Sequence, residues 1–315
     1  MASATDDWIL TTMSAFTIDR INLLLLAFAF AVAYVIPFEL LLLSYAFLGP
    51  LHYLTEISWL HDRKYFTLLP EDPIYLTVGS FILLFAGAAI FPSAAELVWI
   101  LILIAFCTTF VRSMWKRLAI LTAGFIFLIP WLGSTASYAA AVLIPTVAHV
   151  YLFTIIFMIF GALKAKSTLG FVNSALFFFG GIALLFLPQS GVQIFPSYVA
   201  AHYDIFGSIA DAFGQILGVS ALTVLPAVAS FLAFAYTHHY LNWFSKTTVI
   251  EWHAVSWQRA MTIGALYAIS VGLYLYDYTL GFIVLLSLSF LHVVLEFPLN
   301  FKSVQGVYEE LRGKK

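Results

Sequence analysis

The stretch Thr237-His238-His239-Tyr240-Leu241-Asn242-Trp243-Phe244 ends one of the longest apolar runs in the sequence. That run, residues 216–244, is long enough to cross a bilayer as a helix, because about 20 apolar residues suffice. Imidazole side chains inside a membrane are costly, and they usually mark a functional site. The stretch therefore predicts a membrane-spanning helix that carries part of a site near one end.

Composition places the whole chain in the same class. Of the 315 residues, 63% are hydrophobic and 10% are charged, and the mean hydropathy is +0.99. A soluble protein of this length could not bury so much apolar surface. We expect a single all-α domain, residues 1–315, embedded in the lipid bilayer as a polytopic helical bundle.

Charge and cysteine content exclude several other classes. The net charge of -2 and the lack of a basic tract exclude nucleic acid as a partner. Cys107 is the single cysteine, so the chain can form neither an internal disulfide framework nor a cysteine metal cluster.

Ten apolar runs predict ten membrane spans, with prolines, small polar residues or charged loops between them. The predicted spans are residues 21–36, 38–60, 74–91, 95–111, 118–132, 138–163, 169–187, 216–244, 260–276 and 280–298.

The positive charges orient this bundle. With ten spans, all 14 Lys and Arg residues fall in the two termini and in the loops that follow even-numbered spans. Cytoplasmic loops are enriched in Lys and Arg, so both termini are predicted to be cytoplasmic. We expect a multi-pass protein of a bacterial inner membrane.

Two His-x-x-x-Glu pairs end other apolar runs, His52 with Glu56 and His292 with Glu296. On a helix this spacing places imidazole and carboxylate one turn apart on one face. At ~1.5 Å per residue, His239, His52 and His292 all lie within about 10–15 Å of charged residues at the cytoplasmic boundary. Three spans therefore carry ligand-type side chains at a similar depth.

These residues, with the remaining histidines near that side, predict a metal site. His149 is deeper, ~22 Å along its helix from Lys164, and joins the site only if the pocket descends toward the midplane. The predicted metal ligands are His52, Glu56, His149, His238, His239, His253, His292 and Glu296, and the predicted orienting acceptors are Asn242, Glu251 and Asp62.

Imidazole and carboxylate donors without thiolate suit iron and other first-row metals such as Zn, Mn or Cu. Two His-x-x-x-Glu pairs and further histidines offer enough donors for two metals. In di-iron sites of helical bundles, carboxylates bridge the two metals and imidazoles complete their coordination. Iron, as one ion or as a di-iron pair, is therefore the predicted cofactor.

In the kind and placement of its ligands, the chain resembles the membrane-bound histidine-box enzymes. These are fatty-acid desaturases, lipid hydroxylases and alkane hydroxylases. The resemblance covers the ligand end of the bundle. The sequence has His238-His239 but neither His-x-x-x-His nor His-x-x-His-His, so Glu56 and Glu296 would stand where that family has histidines. Membrane oxygenases that cleave carotenoids at histidine-bound iron are a second analogue. The resemblance implies an O₂-dependent oxidoreductase with a lipid-like, isoprenoid or hydrocarbon substrate and a soluble electron donor at the cytoplasmic face.

Two other functions stay open. Intramembrane His and Glu side chains also form cation or proton pathways in transporters and channels. Against this, few polar residues lie in the non-cytoplasmic halves of the predicted spans, so no complete pathway is visible. Histidines on two helices can also be axial ligands of a haem.

The charge distribution makes the topology testable. A reporter enzyme that is active only outside the cytoplasm should be inactive when fused after Lys166 and active when fused after Gln189. The same activity from both fusions would contradict the ten-span arrangement.

Overall fold

A computed structural model describes residues 4–82, 98–188, 192–202, 207–246 and 250–313; of residues 4–15 and 208 it describes the backbone alone. Every regular element within these ranges is helical. The α-helices are α1 (Ala4–Val35), α2 (Pro37–Leu43), α3 (Gly49–Asp62), α4 (Asp72–Ile82), α5 (Val98–Phe110), α6 (Met114–Leu128), α7 (Thr135–Leu143), α8 (Thr154–Ala165), α9 (Thr168–Phe186), α10 (Pro196–Ala201), α11 (Gly207–Leu217), α12 (Ala221–Ser245), α13 (Trp257–Tyr276) and α14 (Tyr278–Leu311). Two π-helical segments, π1 (Ser44–Leu48) and π2 (Ile144–Phe153), and a 3₁₀ turn (Lys64–Phe66) complete the described elements.

Six helical stretches are long and apolar enough to cross a membrane: Phe16–Val35, Pro37–Asp62, Thr135–Ala165, Thr168–Phe186, Ala221–Ser245 and Tyr278–Leu311. The all-helical fold is thus confirmed, and the six candidate spans support a membrane protein. Two further predicted spans, 74–91 and 95–111, extend into residues 83–97, which lie outside the described ranges. The count of ten and the cytoplasmic termini stay predictions.

The helix that carries the histidine pair starts later than the apolar run predicts. α11 ends at Leu217, and Gly218 then adopts a positive φ of 70°, a conformation that terminates helices and that glycine tolerates best. α12 begins only at Ala221. Residues 216 and 217, predicted to start this span, belong to the preceding helix instead.

α12 lies at the centre of the bundle. Sixteen of its 25 residues are buried, so it faces protein rather than lipid on most of its surface. Phe234 packs against Phe30 of α1 and Phe177 of α9, with ring centroids 5.8 and 5.1 Å apart. The hydroxyls of Thr237 and Ser44, 2.6 Å apart, join α12 to π1. The histidine pair is therefore carried by a helix that is mostly enclosed by protein.

A second apolar cluster joins α3, α4, α5 and α14, with Leu60, Leu76, Leu101 and Val294 at its centre. Beside it lies a buried ion pair. Arg117 binds the Asp72 carboxylate through both terminal nitrogens, with Nη2 2.9 Å from Oδ2.

Further hydrogen bonds surround that ion pair. The Asp72 carboxylate accepts from the backbone of Leu69 at 2.9 Å, and Arg117 Nε donates to the carbonyl of Val111 at 2.6 Å. The pair therefore fixes the start of α4 against the start of α6.

This ion pair should be essential for stability. Arg117→Met leaves a buried carboxylate uncompensated, which should cost about 3–5 kcal/mol. The exposed pair between Asp62 and Arg259, with N–O distances of 2.6 and 2.7 Å, is the matched control. Arg259→Met should change stability little, because water screens that pair. Reversible denaturation in mixed micelles measures both, and equal effects would contradict the assignment.

Candidate metal centre

Four parts of the bundle meet at one buried cluster. α3 contacts both α12 and α14. π2, which continues into α8 as one helix, also contacts both α12 and α14. These four segments, α3, π2, α12 and α14, carry six of the eight predicted ligands, each at most 7% exposed. The six are His52 and Glu56 on α3, His149 on π2, His239 on α12, and His292 and Glu296 on α14.

The four imidazoles of this cluster form a closed ring. Consecutive ring centroids are 4.6 Å apart for His52 and His239, 5.4 Å for His239 and His149, 5.2 Å for His149 and His292, and 5.5 Å for His292 and His52. Each imidazole therefore lies beside two others. The nitrogen donors of four separate segments thus surround one small volume.

Donor atoms crowd together on the α3 side. His52 Nε2 lies 2.9 Å from Glu56 Oε2 and 3.0 Å from His239 Nε2. Yet Glu56 Oε2 has no partner with hydrogen-bond geometry in the part of the chain that the structure describes. Ligands that bind one ion at 2.0–2.2 Å are themselves roughly 3.0–3.4 Å apart. The spacing fits ligands of one cation, and the two imidazole nitrogens are also at hydrogen-bond distance from each other.

The α14 side repeats the arrangement. His149 Nδ1 lies 3.3 Å from Glu296 Oε2, again without hydrogen-bond geometry. The donor atoms of His149, His292 and Glu296 all lie within 4.8 Å of one another, and so do those of His52, Glu56 and His292. Because His292 belongs to both groups, these five residues can serve one ion or two neighbouring ions. His239 is in neither group and joins the cluster through its 3.0 Å contact with His52.

The cluster leaves many buried polar atoms unpaired. Within the described residues, both ring nitrogens of His149 and one oxygen each of Glu56 and Glu296 have no hydrogen-bond partner. An unpaired buried donor or acceptor costs about 1–3 kcal/mol, and native proteins keep few of them. No Lys or Arg of the described ranges forms an ion pair with Glu56 or Glu296. A cation at the centre would satisfy both the nitrogens and the carboxylates.

Aromatic side chains enclose the His52 side of the cluster. Tyr240, Trp243 and Phe244 of α12 lie against the His52 ring, with centroids 5.0, 5.4 and 6.4 Å away. Trp243 is held in place because its indole N–H donates to Thr55 Oγ1 at 3.2 Å. This wall excludes water and lowers the local dielectric, which strengthens electrostatic interactions inside.

His149 reaches the cluster although its distance along the helix predicts a deeper position. It lies in π2, where backbone bonds run from residue i to i+5 and successive side chains rotate differently from those of an α-helix. Only residues 149–153 of the stretch from His149 to Lys164 are π-helical, so this segment changes mainly the direction of the His149 side chain and hardly its depth. Pro145, which lacks a backbone N–H, is the visible sign in the sequence that the regular bonding changes.

Two predicted ligands lie elsewhere. The His238 ring is fully buried against Phe177 and Phe234, with centroids 4.7 and 6.3 Å away. His253 is exposed beside Trp252 in the segment before α13. The structure does not bring either of them into the cluster.

The expected orienting acceptors are also elsewhere. Asp62 pairs with Arg259 at the surface, and Glu251 is exposed. Asn242 is buried on α12, and its side-chain oxygen has no partner in the described ranges. A hydroxyl contact to a ligand ring comes instead from Thr154, whose Oγ1 lies 2.7 Å from His239 Nδ1. The sequence did not predict this contact, because a hydroxyl in an apolar helix normally bonds its own backbone.

Comparisons with protein-family models, with curated proteins and with solved structures found no match. The argument for function therefore rests on the geometry of the cluster.

The cluster predicts which histidines matter for metal binding. His292→Ala removes the one residue common to both donor groups and should abolish Co²⁺ binding, measured by visible absorption of purified protein. His253→Ala and His238→Ala should bind Co²⁺ as the wild type does. A loss of binding in His253→Ala equal to that in His292→Ala would contradict this ligand set, provided that all variants elute as the wild type in size exclusion.

Proposed function

We propose that this protein is an integral membrane, metal-dependent oxidoreductase that acts on an apolar substrate. Non-haem iron, as one ion or as a di-iron pair, is the proposed cofactor. The observation that carries the proposal is the convergence of four imidazoles and two carboxylates from four helical stretches, each long and apolar enough to cross a membrane, in one buried volume. We further propose ten spans in a bacterial inner membrane, with both termini cytoplasmic.

The donor set supports iron. Mixed nitrogen and oxygen donors without sulfur suit iron, manganese or zinc, and a cluster rich in carboxylate and imidazole is typical of non-haem iron in helical bundles. Iron held there would supply redox chemistry with O₂. The chain itself contributes two carboxylates, Glu56 and Glu296, whose negative charge offsets that of a cation in an interior without Lys or Arg partners among the described residues.

The surroundings support an apolar substrate. The ligands lie on helices that are long and apolar enough to cross a membrane, and Tyr240, Trp243 and Phe244 exclude water from the His52 side. Lipid-like, isoprenoid or hydrocarbon molecules partition into the surrounding bilayer and can reach the site from there. The proposed electron donor is a soluble protein or small reductant at the cytoplasmic face.

The ligand spacing argues against the haem alternative. Two axial imidazoles on one haem iron, each about 2.0 Å from the metal, hold their nitrogens about 4 Å apart with the macrocycle between them. His52 Nε2 and His239 Nε2 are 3.0 Å apart, which leaves no room for a porphyrin. An absorption spectrum without a Soret band is the expected result.

Activity and metal content test the proposal together. Glu296→Gln keeps the size of the side chain but removes an anionic donor, so it should lower bound iron and abolish turnover. Elemental analysis gives iron per protein. Oxygen uptake gives turnover, with an unsaturated fatty acid, an alkane or a carotenoid as substrate and ascorbate as reductant. Glu251→Gln, at an exposed carboxylate, is the control and should resemble the wild type.

Two results would overturn the proposal. Equal, substoichiometric metal in the wild type and in Glu296→Gln would contradict the metal centre. Stoichiometric metal without oxygen uptake, together with metal flux into proteoliposomes, would identify a transporter instead.

A further inference from the structure

One hydroxyl lies between the metal-ligand cluster and the backbone of the helix that carries it. Thr154, the first residue of α8, is 2% exposed. Its Oγ1 is 2.7 Å from the carbonyl oxygen of Val150 and 2.7 Å from Nδ1 of His239. Both contacts are at normal hydrogen-bond length.

These two contacts fix the direction of the hydrogen bonds. A hydroxyl has one proton, and the Val150 carbonyl can only accept, so Thr154 donates to Val150. The oxygen of Thr154 must then accept from His239, which assigns the proton of the neutral imidazole to Nδ1. The lone pair of His239 is thereby left on Nε2, the nitrogen that lies 3.0 Å from His52 Nε2 inside the cluster.

We propose that Thr154 is a positioning residue that holds His239 in the tautomer and ring orientation required to bind metal through Nε2. The proposal rests on the proposed metal centre. Histidine ligands generally donate their second N–H to a carboxylate, a carbonyl or water, and this contact fixes the tautomer. Here a threonine hydroxyl, itself fixed by a backbone carbonyl, does so.

The π-helical segment explains how Thr154 and His149 face the same cluster. They are five residues apart, which in an α-helix places side chains about 140° apart around the axis. π2 ends at Phe153, directly before Thr154, and its i→i+5 bonding brings His149 and Thr154 closer to one face than an α-helix would. His149 can therefore offer ring nitrogens to the cluster while Thr154 contacts His239 from the same face.

The same segment contains a matched control. Thr146 Oγ1 donates to the carbonyl of Val142 at 2.6 Å, in the same way that Thr154 donates to Val150. No histidine contact to Thr146 is found in the described residues. Loss of the Thr146 hydroxyl therefore removes a backbone hydrogen bond alone, whereas loss of the Thr154 hydroxyl also removes the partner of His239.

The test compares Thr154→Val, Thr154→Ser and Thr146→Val by Co²⁺ titration of purified metal-free protein. Thr154→Val leaves the Nδ1–H of His239 against a methyl group, which favours the other tautomer and puts a proton on the ligating nitrogen. Its Co²⁺ affinity should fall by roughly 10–100-fold. Thr154→Ser keeps the hydroxyl and should retain wild-type affinity, as should Thr146→Val.

The outcomes separate this proposal from the metal centre itself. A wild type that binds no Co²⁺ overturns the metal centre. A wild type that binds Co²⁺ with the same affinity as Thr154→Val overturns the positioning role, and so does an equal loss in Thr154→Ser.

A direct measurement needs no variant at Thr154. Solid-state NMR of ¹⁵N-histidine-labelled, metal-free wild type reports the tautomer, with His239→Gln used to assign the resonance. An Nδ1–H tautomer is expected, and an Nε2–H tautomer would overturn the proposal even if Thr154→Val fails to fold.

Discussion

The cost of taking polar groups out of water is the constraint on which the rest of this structure depends. Four imidazoles and two carboxylates lie in the interior, and no Lys or Arg of the described ranges pairs with Glu56 or Glu296. An uncompensated carboxylate in a low dielectric is destabilising by several kcal/mol. The helices that carry these groups must therefore be held together by the rest of the bundle, and the cluster itself requires a cation or protons to be stable.

Small hydroxyl contacts between helices hold the ligands in place. Ser44 with Thr237 fixes α12 beside π1, just before the helix of His52. Thr55 accepts from Trp243, and Thr154 accepts from His239. Each contact lies within one or two turns of a proposed ligand. A hydroxyl adds little volume, so it can cross-link closely packed helices where a longer polar side chain would not fit.

The sequence was sufficient for the helical membrane fold and for much of the cluster. His-x-x-x-Glu places its two side chains on one face of any α-helix, so the pairs on α3 and α14 could be predicted from spacing alone. His149 could not be placed in this way, because the direction of its side chain depends on the π-helical bonding, which tertiary packing sets. His238 and His239 point about 100° apart on one helix, and only His239 faces the cluster. Which of the two does so is decided by packing against Phe177 and Phe234.

The same geometry links metal binding to folding. The six donors come from segments of the chain that are far apart in sequence, between His52 and Glu296, so an ion bound by all of them would cross-link both halves of the bundle. A ligand present at 100 times its dissociation constant stabilises the native state by about 2.7 kcal/mol, if it does not bind the unfolded chain. In the metal-free protein the unpaired nitrogens of His149 act in the opposite direction. Under the proposed function, the buried polar region that lacks hydrogen-bond partners is therefore also the one that the cofactor would stabilise.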